Sequence, residues 1–434
     1  MNKFICTIFL CFIITAISLE QSSAQQKVFT KDIDNFWTAY DSIRTTKDSL
    51  KQIHFIQTLY IDKGTPGLKA FIDARDYSAQ LYVELINKYP KFWNSIRPNT
   101  LTVKSKAKEI ENSIQKLRSI YPELKNANIY FTIGGLRSGG TTTDDMVLIG
   151  TEIATGNAST DVSQLPDKWL AGVFKETSID NIVTLNVHEY IHTQQNGESE
   201  NLLAQAIKEG SCDFISELVT GKPLQRDYIK YGKQHENELK GKFKQGMFST
   251  AYSRWLYNGA KADSVADLGY FMGYEICKSY YNNAKDKKQA VKDIIELKYS
   301  DATGVETFLK KSKYYVEPIN KAQLLQSVHE QQPMLIKLEP FDNGDTIVDT
   351  SIKQMILVFS KPMSKGYSIS FGERGKDFFP IKGVVGFSDD KKRFTLQINL
   401  QSNHEYEFTV TDRSFASTDG YPLIKEYSIK FKTK

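Results

Sequence analysis

Cysteine is scarce in this 434-residue chain: there are four, and Cys6 and Cys11 fall in the apolar run at residues 4–19. Beyond that run only Cys212 and Cys277 remain, enough for one disulfide in an oxidising compartment but not for a disulfide framework. No run of like charge is long enough to suggest nucleic acid, and the formal net charge is only +5. There is no internal repeat and no low-complexity tract. With 40% hydrophobic and 25% charged residues, the composition is that of an ordinary soluble globular chain, long enough for two or three domains.

The N-terminus is the exception. Lys3 precedes the apolar run, which is shorter than the roughly 20 residues that span a bilayer, and Ser22-Ser23-Ala24 offers small residues for cleavage. Residues 1–24 therefore read as a signal peptide, with an uncleaved anchor helix as the alternative. Neither Cys6 nor Cys11 follows the small residues that a lipoprotein site needs, so an exported protein without a membrane span is expected.

The chain is organised around His188-Glu189-Tyr190-Ile191-His192, inside a helical stretch at 178–196. Positions i and i+4 share one face of a helix, about 5.4 Å apart along its axis. Two imidazoles so placed can bind one Zn²⁺ through bonds of about 2.0–2.1 Å, and Glu189 can take a proton from a zinc-bound water. Ile182, Val183, Tyr190 and Ile191 supply apolar contacts, and Asn196-Gly197 a stop. The metzincin continuation requires Gly at 195 and His at 198, where this chain has Gln195 and Glu198.

A third ligand must come from elsewhere. A second helical stretch at 201–221 carries Leu202, Leu203, Ala206, Ile207, Phe214, Ile215 and Leu218 as its apolar positions. Glu209 follows His192 by 17 residues (209 − 192), room for a turn and about two helical turns back toward the metal. Asp213 lies one turn further on the same face and can accept the remaining N–H of a ligand histidine. Glu198 and Glu200, in the connecting turn, are the competing carboxylates, and Cys212 is expected to pack beside the zinc rather than bond it.

Here the chain resembles the gluzincin branch of zinc metallopeptidases, in which a second helix carries a Glu ligand and, four residues on, an Asp supporting a ligand histidine. Glu209 and Asp213 match that pattern. Leu268-Gly269-Tyr270-Phe271-Met272-Gly273-Tyr274, Gly134-Gly135, Gly139-Gly140 and Glu209-Gly210 are similar to segments of a family of predicted bacterial zinc-dependent proteases, over roughly residues 125–315. The resemblance implies Zn²⁺ on His188, His192 and Glu209, Glu189 as general base, and Tyr270 or Tyr274 as oxyanion donor, with Tyr274 slightly preferred. The alternative for the tyrosines is aromatic helix packing.

Around this centre, 27–125 reads as helical. Val103, Ala107, Ile110, Ile114, Leu117 and Tyr121 form one helix face, and 67–89 forms another helix closed by Pro90. Ile129–Ile133 and 146–153 read as strands separated by glycine pairs, either an edge that takes extended substrate or an ordinary sheet. Asp144 and Asp145 read as a turn, and His54 as structural.

Character changes near Gln331-Gln332-Pro333. Apolar and polar residues then alternate with period two around Ile369, Leu396, Phe408 and Ile429. Pro340-Phe341-Asp342-Asn343-Gly344 and Val358-Phe359-Ser360-Lys361-Pro362-Met363 resemble bacterial immunoglobulin-like modules of exported proteins, and His404 reads as a surface residue.

The expected fold is α+β: a helical region at 25–125 packed on a mostly helical zincin-like metallopeptidase domain with a small β-sheet at 126–330, then an all-β immunoglobulin-like sandwich at 334–434. The expected function is a secreted zinc metallopeptidase acting on peptide or protein substrates. The alternatives are a catalytically idle zinc-fold protein that contacts a cell surface, glycan or protein through the sandwich, and a zinc hydrolase of a non-peptide amide.

Overall fold

The computed structural model describes residues 27–143, 145–166, 169–176, 178–259 and 265–434, so the signal peptide expected at 1–24 and Asp144 lie outside the described residues. Two separate hydrophobic cores stand in the chain, one built from residues up to Tyr314 and one from Leu338 onward.

The first part is helical. After β1 (Val28–Phe29) come α1 (Lys31–Ile43), α2 (Ser49–Ile56), α3 (Pro66–Arg75), α4 (Ala79–Lys88) and α5 (Pro90–Ile120). The helix expected at 67–89 is two helices. Asp76 turns left-handed at φ 52°, and the Ser78 hydroxyl accepts from Leu81 N at 3.2 Å to start the second. Pro90 opens α5 rather than merely closing α4, because its missing N–H is one that a first helical residue leaves unbonded anyway.

A four-stranded sheet follows from β1, β2 (Asn128–Thr132), β3 (Gly140–Thr142) and β4 (Met146–Gly150), in the order β1-β2-β4-β3. β1, β2 and β4 run parallel, while β3 is an antiparallel edge strand on β4. The strand expected to reach 153 stops at Gly150, and α6 (Thr151–Ala154) takes over.

Then come α7 (Trp169–Glu176), α8 (Ile182–His192), α9 (Leu202–Thr220), α10 (Asp227–Gly246), α11 (Leu268–Asn283), α12 (Lys287–Ile295), α13 (Ala302–Ser312) and α14 (Lys321–Gln331). Asn201 caps α9 by accepting from Ala204 N, and Gly221 ends it in the left-handed region at φ 68°. α9 and α11 cross glycine on glycine. A Cβ at Gly273 would lie 1.7 Å from the Ala206 carbonyl oxygen, and one at Gly210 would lie 2.1 Å from Tyr274 N. That close approach brings the start of α11 to α8, where Tyr270 lies against His188.

The C-terminal strands are β5 (Leu335–Glu339), β6 (Gln354–Phe359), β7 (Ile369–Phe371), β8 (Ile381–Phe387), β9 (Arg393–Ile398), β10 (Glu405–Val410) and β11 (Tyr427–Lys432). They form two sheets, β5-β6-β9-β8 and β11-β10-β7. With the strands lettered A to G, these are A-B-E-D and G-F-C, the strand order of constant-type immunoglobulin domains. Met355, Leu357, Leu396 and Phe408 fill the space between the sheets. The sandwich meets the helical part where Arg254 stacks over the Tyr421 ring, 4.5 Å from its centroid.

Candidate metal centre

α8 and α9 lie side by side and bring three donor atoms together. His188 Nε2 and His192 Nε2 are 3.2 Å apart, and Glu209 Oε2 lies 3.3 Å from His192 Nε2 and 3.7 Å from His188 Nε2. Tetrahedral bonds of about 2.0–2.1 Å separate neighbouring donors by about 3.4 Å. The triangle therefore has the dimensions of three ligands on one zinc ion.

Both rings are turned so that Nε2 is free to ligate. His188 Nδ1 lies 2.9 Å from Asp213 Oδ1, and a carboxylate only accepts, so Nδ1 carries the hydrogen. Asp213 is held in turn by the Tyr228 hydroxyl, which donates to Oδ2 at 2.7 Å. His192 Nδ1 lies 2.7 Å from Gln195 Oε1, which also accepts. Glu209 is oriented through its other oxygen, which accepts from Tyr257 at 2.8 Å and from Gln205 at 3.1 Å. Such outer hydrogen bonds fix ring orientation and raise ligand basicity.

The three groups interact strongly. Burial disfavours charge on His188, but Cys212, Asp213 and Glu209 outweigh it and push the ring up to about 10. His192 is held well above its usual range, with burial again opposed by Cys212 and Glu209. Burial also opposes ionisation of Glu209, yet the two imidazoles keep its carboxyl well below the usual range. Three acid–base groups thus share one small space, and a cation bound there would take the place of the protons on the two Nε2 atoms.

A second group also meets, since ligand atoms of His188, His192 and Cys212 fall within 4.8 Å of one another. Cys212 Sγ, however, faces His192 Nδ1 at 3.5 Å, the nitrogen already bonded to Gln195. The two free Nε2 atoms face Glu209, so the nitrogen–oxygen set is the one whose lone pairs converge. Both cysteines are buried and free.

Glu189 stands beside the triangle, half-buried, packed on the edge strand: a Cβ at Gly140 would lie 2.9 Å from its Oε1. Tyr270 lies against His188 with ring centroids 6.4 Å apart. Tyr274 is turned away, its hydroxyl donating to Glu217 at 2.7 Å. Glu198 and Glu200 are exposed. Gln195, Gln205, Tyr228 and Tyr257 complete the centre and were not picked out from the sequence as its partners. Gln195, one turn past His192, had a usable signal in its spacing. Gln205, one turn before Glu209 on α9, had the same kind of signal, whereas Tyr228 and Tyr257 come from other segments and had none.

No helix among the described residues is long and apolar enough to cross a membrane. No curated protein matches the sequence. Two solved structures match: the S-layer protein rSbsC(31-844), at 13% identity and TM-score 0.18 over 93% of this chain and 45% of that one, and surface layer protein SbsC, domains 1-6, at 14% identity and TM-score 0.17 over 64% and 43%. The chain thus spans less than half the length of either, and scores this low carry no argument about fold.

Residues 16–258 match the family described as gliding motility protein GldB. That span exceeds half of the chain and contains the whole donor triangle, with Gln195, Asp213 and Tyr257. The match overturns the gluzincin reading, and with it the secreted metallopeptidase and its peptide substrates. The physical reason is that a five-residue pattern on one helix specifies a ligand face, and a ligand face does not specify a reaction. The family is one of lipoproteins, which agrees with an exported, envelope-associated chain; the match begins at residue 16, after Cys6 and Cys11. With its metal-type centre inside the matched span and its sandwich outside it, the chain belongs to the GldB gliding-motility family.

Proposed function

We propose that this protein is an envelope-associated binding component in gliding motility, in which a zinc ion on His188, His192 and Glu209 fastens α8 to α9 and the C-terminal sandwich supplies the contact surface. The observation that carries the reading is a groove of about 870 Å³ on the sandwich, lined by Tyr367, Val384, Phe387 and Phe394 with Lys365 and Lys391 at its rim. Tyr367 is 48% exposed and Val384, on β8, is 39% exposed. Apolar side chains gathered at an exposed groove mark an interaction site.

The zinc is supported by the spacing of the three donors and by the hydrogens that Asp213 and Gln195 hold on the far nitrogens. A metal bonded to side chains of two helices adds its binding free energy to that of folding. In this role the residues bind and orient, and α8 and α9 are the elements held.

The test is complementation. In cells lacking this gene, the wild-type chain should restore gliding, and Tyr367→Ala with Val384→Asp should reach the envelope at normal level without restoring it. Full gliding with the double variant would remove the sandwich groove from the function.

A further inference from the structure

His192 stands between a carboxylate and a thiol on the same helix. Its Nε2 faces Glu209 Oε2 at 3.3 Å, and its Nδ1 faces Cys212 Sγ at 3.5 Å. Glu209 and Cys212 are three residues apart, so α9 presents an oxygen ligand and a sulfur ligand to the same pair of imidazoles. His188 and His192 with Glu209 make a nitrogen–oxygen set, and with Cys212 they make a set that contains sulfur. The sets share both rings but need different nitrogens of His192. Which of them meets a cation is therefore decided by how that ring is held.

Gln195 holds it. The Gln195 amide nitrogen donates to Lys208 O at 2.8 Å, to Ser211 Oγ at 2.9 Å and to Tyr299 OH at 3.2 Å. Lys208 O can only accept, so the amide cannot be turned over without placing two acceptors against each other. Its oxygen is left facing His192 Nδ1 at 2.7 Å, which keeps a hydrogen on that nitrogen and the lone pair on Nε2. The same amide nitrogen reaches Cys212 Sγ at 3.4 Å, and Sγ points back to Lys208 O at 3.5 Å, so the thiol is occupied as well.

We infer that Gln195 selects the ligands of this centre: it fixes His192 toward Glu209 and withholds the Cys212 sulfur, giving a nitrogen–oxygen site rather than one that contains sulfur. The inference rests on the proposed zinc centre. Thiolate in place of carboxylate shifts preference toward soft metals, and loss of an outer hydrogen bond to a ligand histidine lowers affinity by about 10–100-fold.

The experiment uses the full chain as wild type, Gln195→Leu and the double variant Gln195→Leu with Cys212→Ser. Each is titrated with Co²⁺ alone and followed by absorption, and with Zn²⁺ by calorimetry. Wild type should bind Co²⁺ without a sulfur-to-cobalt charge-transfer band. Gln195→Leu should gain that band and lose about 10–100-fold in Zn²⁺ affinity. The double variant should lack the band. A Gln195→Leu protein with wild-type spectrum and affinity overturns the selection by Gln195 and leaves the zinc centre standing, as does a sulfur band in wild type. A wild-type chain that binds neither ion ends both proposals. Should Gln195→Leu not fold, nitrogen NMR of zinc-loaded wild type decides: His192 should ligate through Nε2 with hydrogen on Nδ1, and ligation through Nδ1 refutes the inference.

Discussion

The helical body and the C-terminal sandwich are built on opposite rules. In the sandwich, twelve of the eighteen clustered core residues sit at alternate positions of strands, so pleating delivers Leu396, Phe408 and Ile429 to the interior. The body buries Asp32, Glu152, Glu209 and Asp213 as well, whereas the sandwich buries Glu407 as its one charged side chain among the described residues. A buried carboxylate persists only with specific partners, and in the body those partners come from far along the chain: Asp213 takes Tyr228, Glu209 takes Tyr257, and Glu152 takes the backbone N–H groups of Gly134 and Leu136. The body thus holds buried carboxylates in place through distant partners, and the sandwich presents a surface.

The contrast can be tested by disturbing one part and reading both. The largest effect is expected at the helix crossing. Gly273→Val places a side chain where the Ala206 carbonyl already stands, and should lower the stability of the body by about 3 kcal/mol or more while the sandwich transition in calorimetry stays in place. An unmoved body transition would mean that α9 and α11 do not approach so closely. Leu396→Ala, fully buried between the sheets, is the converse. It should cost about 2–5 kcal/mol in urea unfolding of the sandwich and leave zinc affinity of the body unchanged.

Glu152 gives the body a pH dependence. Burial, opposed by hydrogen bonds from the backbone N–H groups of Gly134, Glu152 itself and Leu136, raises its carboxyl from 4.5 to about 7. Between those values the folded chain binds more protons than the unfolded one, so stability should fall as pH rises through that window, by about 3 kcal/mol across it. Glu152→Gln should flatten that slope, and denaturant unfolding at both ends of the window reads it. The same slope in the variant would assign it to another group.

Zinc at a hundredfold excess over its Kd should stabilise the body by about 2.7 kcal/mol, seen as a rise in its thermal transition, and Glu209→Ala should abolish the rise. The smallest effect is expected at Glu189, which lies outside the donor triangle: Glu189→Gln should bind zinc as wild type does. A clear loss in calorimetric titration would draw Glu189 into the ligand set.

Much of the architecture was legible. The 3.6-residue spacing of Ile110, Ile114 and Leu117 marks α5, and Asn201 and Gly221 bracket α9. The break between α3 and α4 was not, because a left-handed Asp76 followed by a Ser78 cap leaves the apolar rhythm on either side almost undisturbed. β8 escaped notice because Ile381–Phe387 is interrupted by glycines and two register shifts, which spoil alternation. In the centre, His188, His192 and Glu209 were visible from spacing on two helices. Tyr257, from a turn with φ 57°, was not, since no local pattern ties it to Glu209.

By itself, then, the sequence determined the periodic elements, the division into a helical part and a strand part, and the face on which two imidazoles stand one turn apart. Those follow from local geometry, in which the repeat of helix or strand fixes where each side chain points. Tertiary structure alone decided which anion meets those imidazoles and how each ring is turned. Both depend on the packing of α8 against α9 and on partners such as Gln195, Tyr228 and Tyr257, whose positions are set by the fold and not by their neighbours in the chain.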